Sequence, residues 1–466
     1  MKHLSWKRLC VCLILFGLLF SAIGCGKAAA SREMHDGAGA IGYGSDVKNG
    51  SYAASKTKDA AAADGYRDGV EYGEAAPASS EGAAEGLDIE AEYGKDDVRD
   101  DITGHQITAS ALNDHEAFED WLLLFERRQD EEIPHFTEDL LGGSFWGLDS
   151  RIRLKIKVTN GTDPLYGAVV SCTGAGGKIF TARTDASGVA YLFPETYDGT
   201  YTVDLDGRTK EGTFSRQTLE QSVVLEGAAA KKSGRIQVMF VVDVTGSMSD
   251  ELIFLQKEVD NVLTRVRKDN GNVPLEVSFL FYRDDGDREK FAFVPFADIS
   301  SSAAYTSARN VLNNQMADGG GDYPEAFDEA LLMAVKDSGW KEDRTTRLIF
   351  HIFDAPPHTN SWEQDKYEQR LEQAVRKAAE LGIRYCPILA SGADLLCEYL
   401  GRQGAVYTGG TSVFITDDSG IGGGHLDPDA KPMTVEYLDD LLVRLIDGYY
   451  TGVFAEPVPI DSDQKN

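Results

Sequence analysis

The sequence predicts a doubly wound α/β domain in its second half, a small all-β sandwich before it, and a long disordered tether at the N-terminus. Residues 236–242 form an almost continuous apolar run, typical of a strand buried on both faces of a parallel sheet, and apolar residues recur at helical spacing directly after it. Residues 151–225 contain short stretches of alternating apolar and polar residues separated by turn signals. Residues 26–107 contain too few apolar residues to offset the entropy of an ordered chain.

The composition is that of a globular protein with a strongly acidic surface. The chain has 466 residues, of which 42% are hydrophobic, and its formal net charge is −30. This length allows two or three domains with cores of their own. The charge argues against a nucleic-acid partner, which requires a basic face, and favours solubility, attraction of cations and basic partners.

Residues 1–24 have the pattern of an export signal. Three Lys and Arg residues precede the apolar stretch 9–20, which is too short to span a membrane. The small residues before Cys25 resemble the signal of bacterial lipoproteins. This resemblance implies that Cys25 is lipidated and that the protein is anchored to the cell membrane on its extracytoplasmic side. Ala22 stands where that pattern more often has leucine. The alternative is an ordinary secretory signal with an incidental cysteine.

The segments that follow are predicted to be a tether and a helix. Residues 25–112 are rich in Ala, Gly, Ser, Asp and Glu, and we expect a disordered tether that holds the folded part away from the membrane. Within the segment 113–147, the stretch NDHEAFEDWLLLFERR predicts an amphipathic helix that Asn113 or Asp114 caps. We expect this helix to pack on a folded domain. A position on the membrane surface is disfavoured because anionic lipids would repel its acidic residues.

Residues 150–226 are predicted to form an antiparallel β-sandwich. Apolar and polar residues alternate over 152–158, and turn signals recur at 160–161 and 185–188. The stretch from Gly167 to the segment TDASGVAYLF resembles the carboxypeptidase-regulatory, transthyretin-like β-sandwich family. This resemblance implies a stalk or spacer, and no cluster of site-like residues stands out in the segment.

The six cysteines do not indicate a disulfide framework. Two lie in the export signal, and Cys25 is the candidate for lipidation. The remaining Cys172, Cys386 and Cys397 are odd in number and have no CxxC spacing, which indicates neither a set of disulfides nor a zinc site. A Cys386–Cys397 pair stays open as an alternative.

The loop after the first strand of the α/β domain carries candidate metal ligands. Asp243, Thr245 and Ser247 place three oxygen side chains on alternate positions, and Gly246 lets the backbone turn between them. Open α/β sheets bind ligands at the carboxyl ends of their strands. Oxygen donors suit a hard divalent cation, which is Mg²⁺, Mn²⁺ or Ca²⁺. The alternative is that a hydroxyl caps the following helix and that backbone donors satisfy Asp243.

This loop, DVTGSM after an apolar strand, resembles the von Willebrand factor type A (VWA) family. Two later segments agree with the family in their order. One is ADGGGDYPEAFDEAL at 317–331, and the other is RLIFHIFDAPPH at 347–358. The domain that the resemblance defines spans 233–454 and leaves a polar tail at 455–466. The resemblance implies a metal-ion-dependent adhesion site (MIDAS) that favours Mg²⁺, with the ligands Asp243, Thr245, Ser247, Asp322 and Asp354.

Asp322 is a departure from the family, in which the corresponding loop supplies a threonine. Three carboxylates against the two charges of a cation would make the metal less attractive to a carboxylate of a partner. The site is then expected to hold its metal more tightly, to keep waters, or to take a neutral or basic group of the partner.

Three further residues near this site are candidates for a supporting role. Arg283 and Asp284 follow the second strand and reach the same rim as Asp243 if the first two strands are parallel. His358 follows Asp354 on the third loop. The competing interpretations are an acidic hairpin turn and an ordinary surface histidine.

The sequence predicts a binding protein and not an enzyme. It contains no nucleophile elbow, no HExxH and no second acid–base pair near the metal loops. The favoured function is that of a lipid-anchored extracytoplasmic protein that binds another protein or macromolecule, as in adhesion, through the metal site. The alternatives are a structural component of the cell envelope with a stabilising metal, and a metal-dependent hydrolase that uses His358.

Overall fold

The structure is a computed structural model, and it describes residues 107–126, 136, 145–336, 338–359, 363–417 and 433–460. All of them belong to one compact unit. The export signal, Cys25, the tether up to residue 106, part of the segment 113–147 and the last residues of the polar tail lie outside the described residues. Within the described ranges, no helix combines the length and the apolar character that crossing a bilayer requires.

Strands and helices alternate through most of the described chain, as the apolar periodicity predicts. In chain order, the strands are β1 (Thr108–Leu112), β2 (Leu154–Thr159), β3 (Val169–Gly174), β4 (Ile179–Arg183), β5 (Val189–Leu192), β6 (Gly199–Leu205), β7 (Arg208–Phe214), β8 (Glu220–Val224), β9 (Arg235–Asp243), β10 (Leu275–Tyr282), β11 (Phe291–Asp298), β12 (Thr345–Phe353), β13 (Ile383–Leu389), β14 (Ser412–Ile415) and β15 (Val435–Tyr437). The α-helices are α1 (Phe118–Leu123), α2 (Ser249–Asp269), α3 (Ser302–Asn313), α4 (Phe327–Val335), α5 (Gln364–Leu381), α6 (Leu395–Thr408) and α7 (Leu438–Thr451).

An eight-stranded sheet forms the centre of the α/β domain, with the strand order β11-β10-β9-β12-β13-β14-β1-β15. The strands β9, β10, β12, β13 and β14 are parallel, and β11 is the antiparallel edge strand that the sequence predicts. Every residue of β12 and β13 is buried, as expected for strands covered on both faces. The helices α2 and α7 belong to one core, and α4, α5 and α6 to the other. This arrangement confirms the doubly wound α/β fold.

Residues 108–112 form a strand inside this sheet, so the predicted tether 25–112 is wrong over its last residues. The strand β1 lies between β14 and β15 and pairs antiparallel with both. The main-chain N–H of Thr416 donates to the carbonyl oxygen of Thr108, and the N–H of Leu438 donates to that of Ile107, each at 2.9 Å. The sequence TASAL has no apolar run, and it becomes a strand because distant parts of the chain supply its hydrogen-bond partners.

The helix predicted from residue 113 onwards begins only at Phe118, and neither Asn113 nor Asp114 caps it. Asp114 is buried instead, and both of its carboxylate oxygens accept hydrogen bonds from Arg402 of α6, at 2.6 and 3.1 Å. Trp121 of α1 is fully buried in the core that α6 shares. The segment therefore packs on the α/β domain, but through a buried ion pair that the sequence pattern does not reveal.

The sequence does not predict the helix α6, because its apolar residues do not form an amphipathic pattern. Every residue from 397 to 408 is buried. Two glycines, Gly401 and Gly404, let the helix approach the sheet, since a Cβ at Gly404 would lie 2.8 Å from the ring of Tyr385. A helix that is buried on all sides and contains two glycines has neither an apolar stripe nor a strong helix propensity.

Residues 150–226 form two sheets, with the strand orders β5-β2-β8 and β4-β3-β6-β7. Burial alternates along β2 and β3 with the predicted period of two. The pairing of β2 with β8 is parallel, which corrects the prediction of antiparallel pairing throughout. The core of these sheets is continuous with the core beneath α4, α5 and α6. The module is therefore fused to the α/β domain, in contrast to a free spacer.

The three described cysteines are free thiols. Cys172, Cys386 and Cys397 are all buried, and none forms a disulfide. The alternative of a Cys386–Cys397 pair is therefore not realised, and these side chains act as small apolar residues of the core.

Candidate metal centre at the carboxyl edge of the sheet

Two buried carboxylates lie at the edge of the sheet where the parallel strands end. Asp243 is the last residue of β9, and Asp354 directly follows β12, which is the parallel neighbour of β9. Asp243 is fully buried, and Asp354 is 5% exposed. The two apolar strands thus bring together acidic residues that are far apart in the chain.

Each of these carboxylates has one oxygen without a hydrogen-bond donor among the described residues. Oδ1 of Asp243 accepts hydrogen bonds from the main-chain N–H and the hydroxyl of Thr245, at 2.9 and 2.8 Å. Oδ2 of Asp243 and Oδ1 of Asp354 have no donor. A hydrogen bond links the side chain of Ser247 to the Asp354 carboxylate. Because buried oxygens without donors cost free energy, a cation at this position would stabilise the site.

The raised pKa values of the two carboxylates also favour a cation at this position. Burial raises the pKa of Asp243 to about 7, and the charge of Asp354 contributes to the rise. Burial also raises the pKa of Asp354. Both carboxylates therefore resist ionisation, and a positive ion between them would reverse this effect.

A third buried carboxylate, Glu325, belongs to the same group and was missed as a ligand by the sequence analysis. Glu325 is 3% exposed, and its Oε2 has no donor among the described residues. Burial raises its pKa to about 9, with contributions from Asp243, Asp284 and Asp354. Because proline is favoured at the first position of a helix, the sequence predicts a helix from Pro324 with Glu325 in its first turn. However, α4 begins only at Phe327, and the main-chain N–H of Glu325 donates to the carbonyl of Pro356 at 2.9 Å.

Asp322, the candidate ligand on this loop, lies on the exposed side of the site. It lines an open cleft together with Ser247, Glu325 and Asp354. Tyr323, which is 45% exposed, lines the same cleft, and its hydroxyl donates to the carbonyl oxygen of Asp354 at 3.2 Å. The loop therefore presents two acids, one buried among the other carboxylates and one at the mouth of the cleft.

The glycine run before Asp322 allows this loop to approach the first one. Gly320 has a φ of +88°, and a Cβ there would lie 3.0 Å from Oε1 of Glu325 and 3.3 Å from Cβ of Thr245. The N–H of Gly320 donates to Oδ2 of Asp287 at 3.0 Å. A side chain at position 320 would occupy the space between the two metal-candidate loops, so the glycine is required there.

Glu251, in the first turn of α2, is a fourth acid that the sequence analysis did not single out. It is 4% exposed, and its Oε2 has no donor among the described residues. Burial raises its pKa to about 7, and Asp354 is among the charges that add to the rise. No local signal distinguishes Glu251 from the exposed acids of other helices, because its burial depends on the loop of Ser391, 3.5 Å away.

The three residues predicted to support the site connect the loops around it. The strand β10 is parallel to β9, so Arg283 and Asp284 do lie on the same rim as Asp243. The guanidinium of Arg283 donates to the carbonyl oxygens of Met316 and Asp318, at 2.8 and 2.9 Å. Nε2 of His358 lies 2.6 Å from Oδ1 of Asp284, which is buried. His358 thus binds a neighbouring acid, and Arg283 fixes the start of the glycine loop.

Carboxylates alone do not complete a metal site at this edge. In the part of the chain that the structure describes, no group of three or more His, Cys, Asp or Glu side chains is arranged to hold a metal ion. A hard cation also accepts oxygens from hydroxyls and water. Thr245 and Ser247 offer hydroxyls beside Asp243 and Asp354. The donor set fits a divalent cation on the condition that hydroxyls and water complete its shell.

The comparison with known families supports the fold of the α/β domain. Residues 237–376 match the family model described as von Willebrand factor A domain. The match supports a VWA domain in this part of the chain. The matched range contains Asp243, the glycine loop and Asp354, and it excludes β1 and the two sheets of residues 150–226. VWA domains in general support a role in protein interaction or adhesion.

Similarity beyond the family model is distant. The chain is similar to a solved structure titled "Crystal Structure of the SpRpn10 VWA domain", with 12% sequence identity and a TM-score of 0.26. The similarity covers 37% of this chain and 82% of that chain. No curated protein matches the chain.

Proposed function

We propose that this protein binds another macromolecule through a divalent cation at the carboxyl edge of its VWA domain. Mg²⁺ is the favoured ion, ahead of Mn²⁺ and Ca²⁺. The partner is an extracytoplasmic protein or another macromolecule outside the cytoplasm. A lipid on Cys25 anchors the protein to the extracytoplasmic side of the cell membrane, and the site performs binding without catalysis.

The observation that carries this proposal is the pair of buried carboxylates at neighbouring strand ends. Among the described residues, Asp243 and Asp354 each retain an oxygen without a donor, and Asp354 lines the cleft. Thr245 and Ser247 add hydroxyl oxygens from the same loop as Asp243. These four residues are the proposed holders of the cation, together with Glu325 or Asp322 from the glycine loop.

The number of acids decides which group of the partner the site accepts. Asp243, Asp354 and Glu325 would carry three negative charges when ionised, against the two of the cation. When bound, the cation would supply a coordination position for an oxygen atom of the partner. The surrounding carboxylates weaken its attraction for a further carboxylate. A neutral oxygen or a basic group beside the metal is therefore the preferred contact, and the net charge of −30 also favours basic partners.

The experiment combines metal binding with capture of the partner. The full chain, purified in detergent, is titrated with Mg²⁺ and Mn²⁺ in a calorimeter and then used to capture proteins from an envelope extract, with Mg²⁺ or with EDTA. Asp243→Ala tests the site, and Asp163→Ala, an exposed aspartate of the sandwich module, is the matched control. We expect metal binding and capture by the wild type and by Asp163→Ala, and loss of both with Asp243→Ala or EDTA.

The other outcomes separate the alternatives. Equal capture under all conditions would move the interface away from the metal and refute the proposal. Metal that raises the unfolding temperature without any metal-dependent capture would favour the structural envelope component. Metal-dependent hydrolysis that stops with Asp243→Ala would favour an enzyme.

A further inference from the structure

A second cleft lies at the opposite edge of the sheet, between the sandwich module and the α/β domain. Its lining comes from both parts of the molecule. Arg183 at the end of β4 belongs to the sandwich module, whereas Arg347 near the start of β12 and Arg384 near the start of β13 belong to the sheet. The cleft has a volume of about 200 Å³, which suits a small molecule or a single chemical group. No part of the proposed metal centre borders it.

Of the four arginines that line this cleft, the exposed Arg344 donates from Nε to the carbonyl of Lys232 at 2.9 Å. The other three are also held by carbonyl oxygens and not by acids. Arg347 donates from Nε to the carbonyl of Lys341 and from Nη1 to that of Leu381, each at 2.7 Å. Nε of Arg183 donates to a carbonyl oxygen of the last turn of α5 at 3.0 Å. Arg384 donates from Nη2 to the carbonyl of Arg183 at 3.0 Å. Among the described residues, no ion pair involves any of the three, and the terminal nitrogens of Arg183 have no acceptor.

The carbonyl partners compensate only part of the positive charge. Arg347 and Arg183 bind the C-terminal end of α5, and Arg384 binds that of α6. Each helix end supplies roughly half a negative charge. Two helix ends therefore offset only about one of these three guanidinium charges. Arg347 and Arg384 are only 5% and 7% exposed, so water screens this charge poorly.

The repulsion among the three guanidinium groups contributes to a lowered pKa of Arg347. Burial lowers the pKa of its guanidinium, and the charges of Arg183 and Arg384 lower it further, while Tyr166 and Glu342 act in the opposite direction. A protein of net charge −30 has many acids with which to neutralise such a group. That the described structure leaves it without one indicates a place for a negative charge from outside.

The five acids of the same cleft are engaged elsewhere or are partly or fully exposed, and Asp204 is among the partly exposed ones. Asp185 accepts three hydrogen bonds within its own turn, at 2.6 to 2.9 Å. Asp206 pairs with Lys231 at 2.6 Å. Glu342 and Asp343 are exposed. The exposed acids thus lie toward solvent, at the entrance, whereas the two buried charges of the lining, Arg347 and Arg384, are both positive.

A buried hydroxyl provides a second and independent indication of a ligand. Oγ1 of Thr346, which lines the cleft beside Arg347, has no hydrogen-bond partner among the described residues. Thr346 is 4% exposed. A buried hydroxyl without a partner is costly, and an acceptor oxygen in the cleft would take its hydrogen bond.

We propose that this cleft binds a small oxyanion, a phosphate or carboxylate group, between the guanidinium groups of Arg183, Arg347 and Arg384 and the hydroxyl of Thr346. Planar guanidinium groups match the oxygens of phosphate and carboxylate in paired hydrogen bonds. The acidic entrance favours an anion whose other end carries a positive charge or neutral polar groups. Because the ligand touches both the sandwich module and the sheet, its binding also strengthens the attachment of the one to the other.

The test uses the full chain and two defined probes, inorganic phosphate and acetate. Each is titrated in a calorimeter at constant ionic strength, with chloride as the ionic background, and the unfolding temperature is measured with each anion. We expect heat of binding and a raised unfolding temperature with one or both probes. Arg183→Gln removes the half-exposed guanidinium with free nitrogens and should weaken binding about tenfold to a hundredfold. Arg208→Gln removes an exposed arginine of β7 outside the cleft and should leave binding unchanged.

A second variant keeps the test decisive if Arg183→Gln loosens the module. Arg183→Lys retains the charge but not the fork of donors, so we expect an affinity between those of the wild type and Arg183→Gln. Binding of phosphate but not acetate, or the reverse, identifies the anion. Absence of heat with both probes at millimolar concentrations, or equal affinity in wild type and Arg183→Gln, would overturn the proposal. Neither result depends on the metal centre, since the protein is freed of metal on a chelating resin and titrated in metal-free buffer without a soluble carboxylate chelator.

Discussion

The two ends of the central sheet differ in whether the chain supplies hydrogen-bond partners for the buried charged side chains. At the carboxyl edge, Asp243 and Asp354 are buried with oxygens that lack donors among the described residues. At the amino edge, Arg347 and Arg384 are buried, but carbonyl oxygens of the chain accept their hydrogen bonds. The hydrogen bonds of the amino edge are thus satisfied within the chain, although part of its positive charge is left for the proposed anion to compensate. At the carboxyl edge, the buried oxygens without donors cost stability, and the proposed cation would offset that cost.

The largest expected effect is on the pH dependence of the metal-free protein. The pKa of Asp243 is raised to about 7 by burial and by Asp354, well above its value in an unfolded chain. The folded state therefore binds the proton more tightly. The stability that this group contributes is fully present below about pH 4 and is lost as the pH rises to about 7. The loss for Asp243 alone is on the order of 4 kcal/mol. Glu251, with a pKa raised to about 7, and Glu325, with a pKa raised to about 9, add to this loss as the pH rises.

Urea unfolding in EDTA between about pH 5 and pH 9 measures this effect. Asp243→Asn should be more stable than the wild type at the upper end of the range, and Mg²⁺ should reduce the difference. A wild type whose stability does not fall with pH relative to Asp243→Asn would contradict the contrast between the two edges.

The second expected effect is a loss of stability at the amino edge that does not depend on pH. Arg347→Met removes hydrogen bonds to several carbonyl oxygens, and we expect a loss of about 2 to 3 kcal/mol in the free energy of unfolding. Because arginine stays protonated, this loss should be the same across that pH range and should not respond to Mg²⁺. Arg208→Met, at an exposed position, should stay within about 0.5 kcal/mol of the wild type. A stabilising effect of Arg347→Met would show that both edges carry the same kind of uncompensated charge.

The smallest effect is expected at Asp322, the exposed acid of the glycine loop, in contrast to Glu325 of the same loop. Glu325 is buried with a pKa raised to about 9, whereas Asp322 is exposed. In EDTA at neutral pH, Glu325→Gln should stabilise the protein, and Asp322→Asn should change its stability by less than about 0.5 kcal/mol. Calorimetry with Mg²⁺ should show the larger loss of affinity for Glu325→Gln. The reverse order would return Asp322 to the centre of the site, as the family resemblance implies.

The parts of this structure that could be predicted from sequence are those in which the signal is local. An apolar run that ends in an acid and two hydroxyls predicts the strand β9 and the loop after it. The sequence could therefore locate Asp243 at a strand end. It could not locate Glu325 in the site, because the burial of this residue depends on a contact with Pro356 on another loop. The same holds for Glu251, which is covered by the loop of Ser391.

Contacts between distant parts of the chain also explain why apolar periodicity does not predict β1 and α6. The strand β1 consists of small and polar residues that pair with β14 and β15 from the far end of the chain. The helix α6 buries Arg402 by pairing it with Asp114, which lies nearly three hundred residues earlier. A pattern search along the chain finds no stripe in such segments, because the groups that make their burial favourable are elsewhere in the sequence.

The position of β1 also determines how this molecule would carry mechanical load. If residues 25–106 connect the fold to a membrane anchor, any pull between the anchor and a bound partner enters the domain at Ile107. The strand β1 is hydrogen-bonded on both sides and runs antiparallel to both neighbours, so tension along the chain must shear two ladders at once. Because β15 leads directly into α7, the same tension reaches the helix that closes the domain. The linkage is therefore built into the sheet one strand in from its edge, where it is harder to peel away than an edge strand.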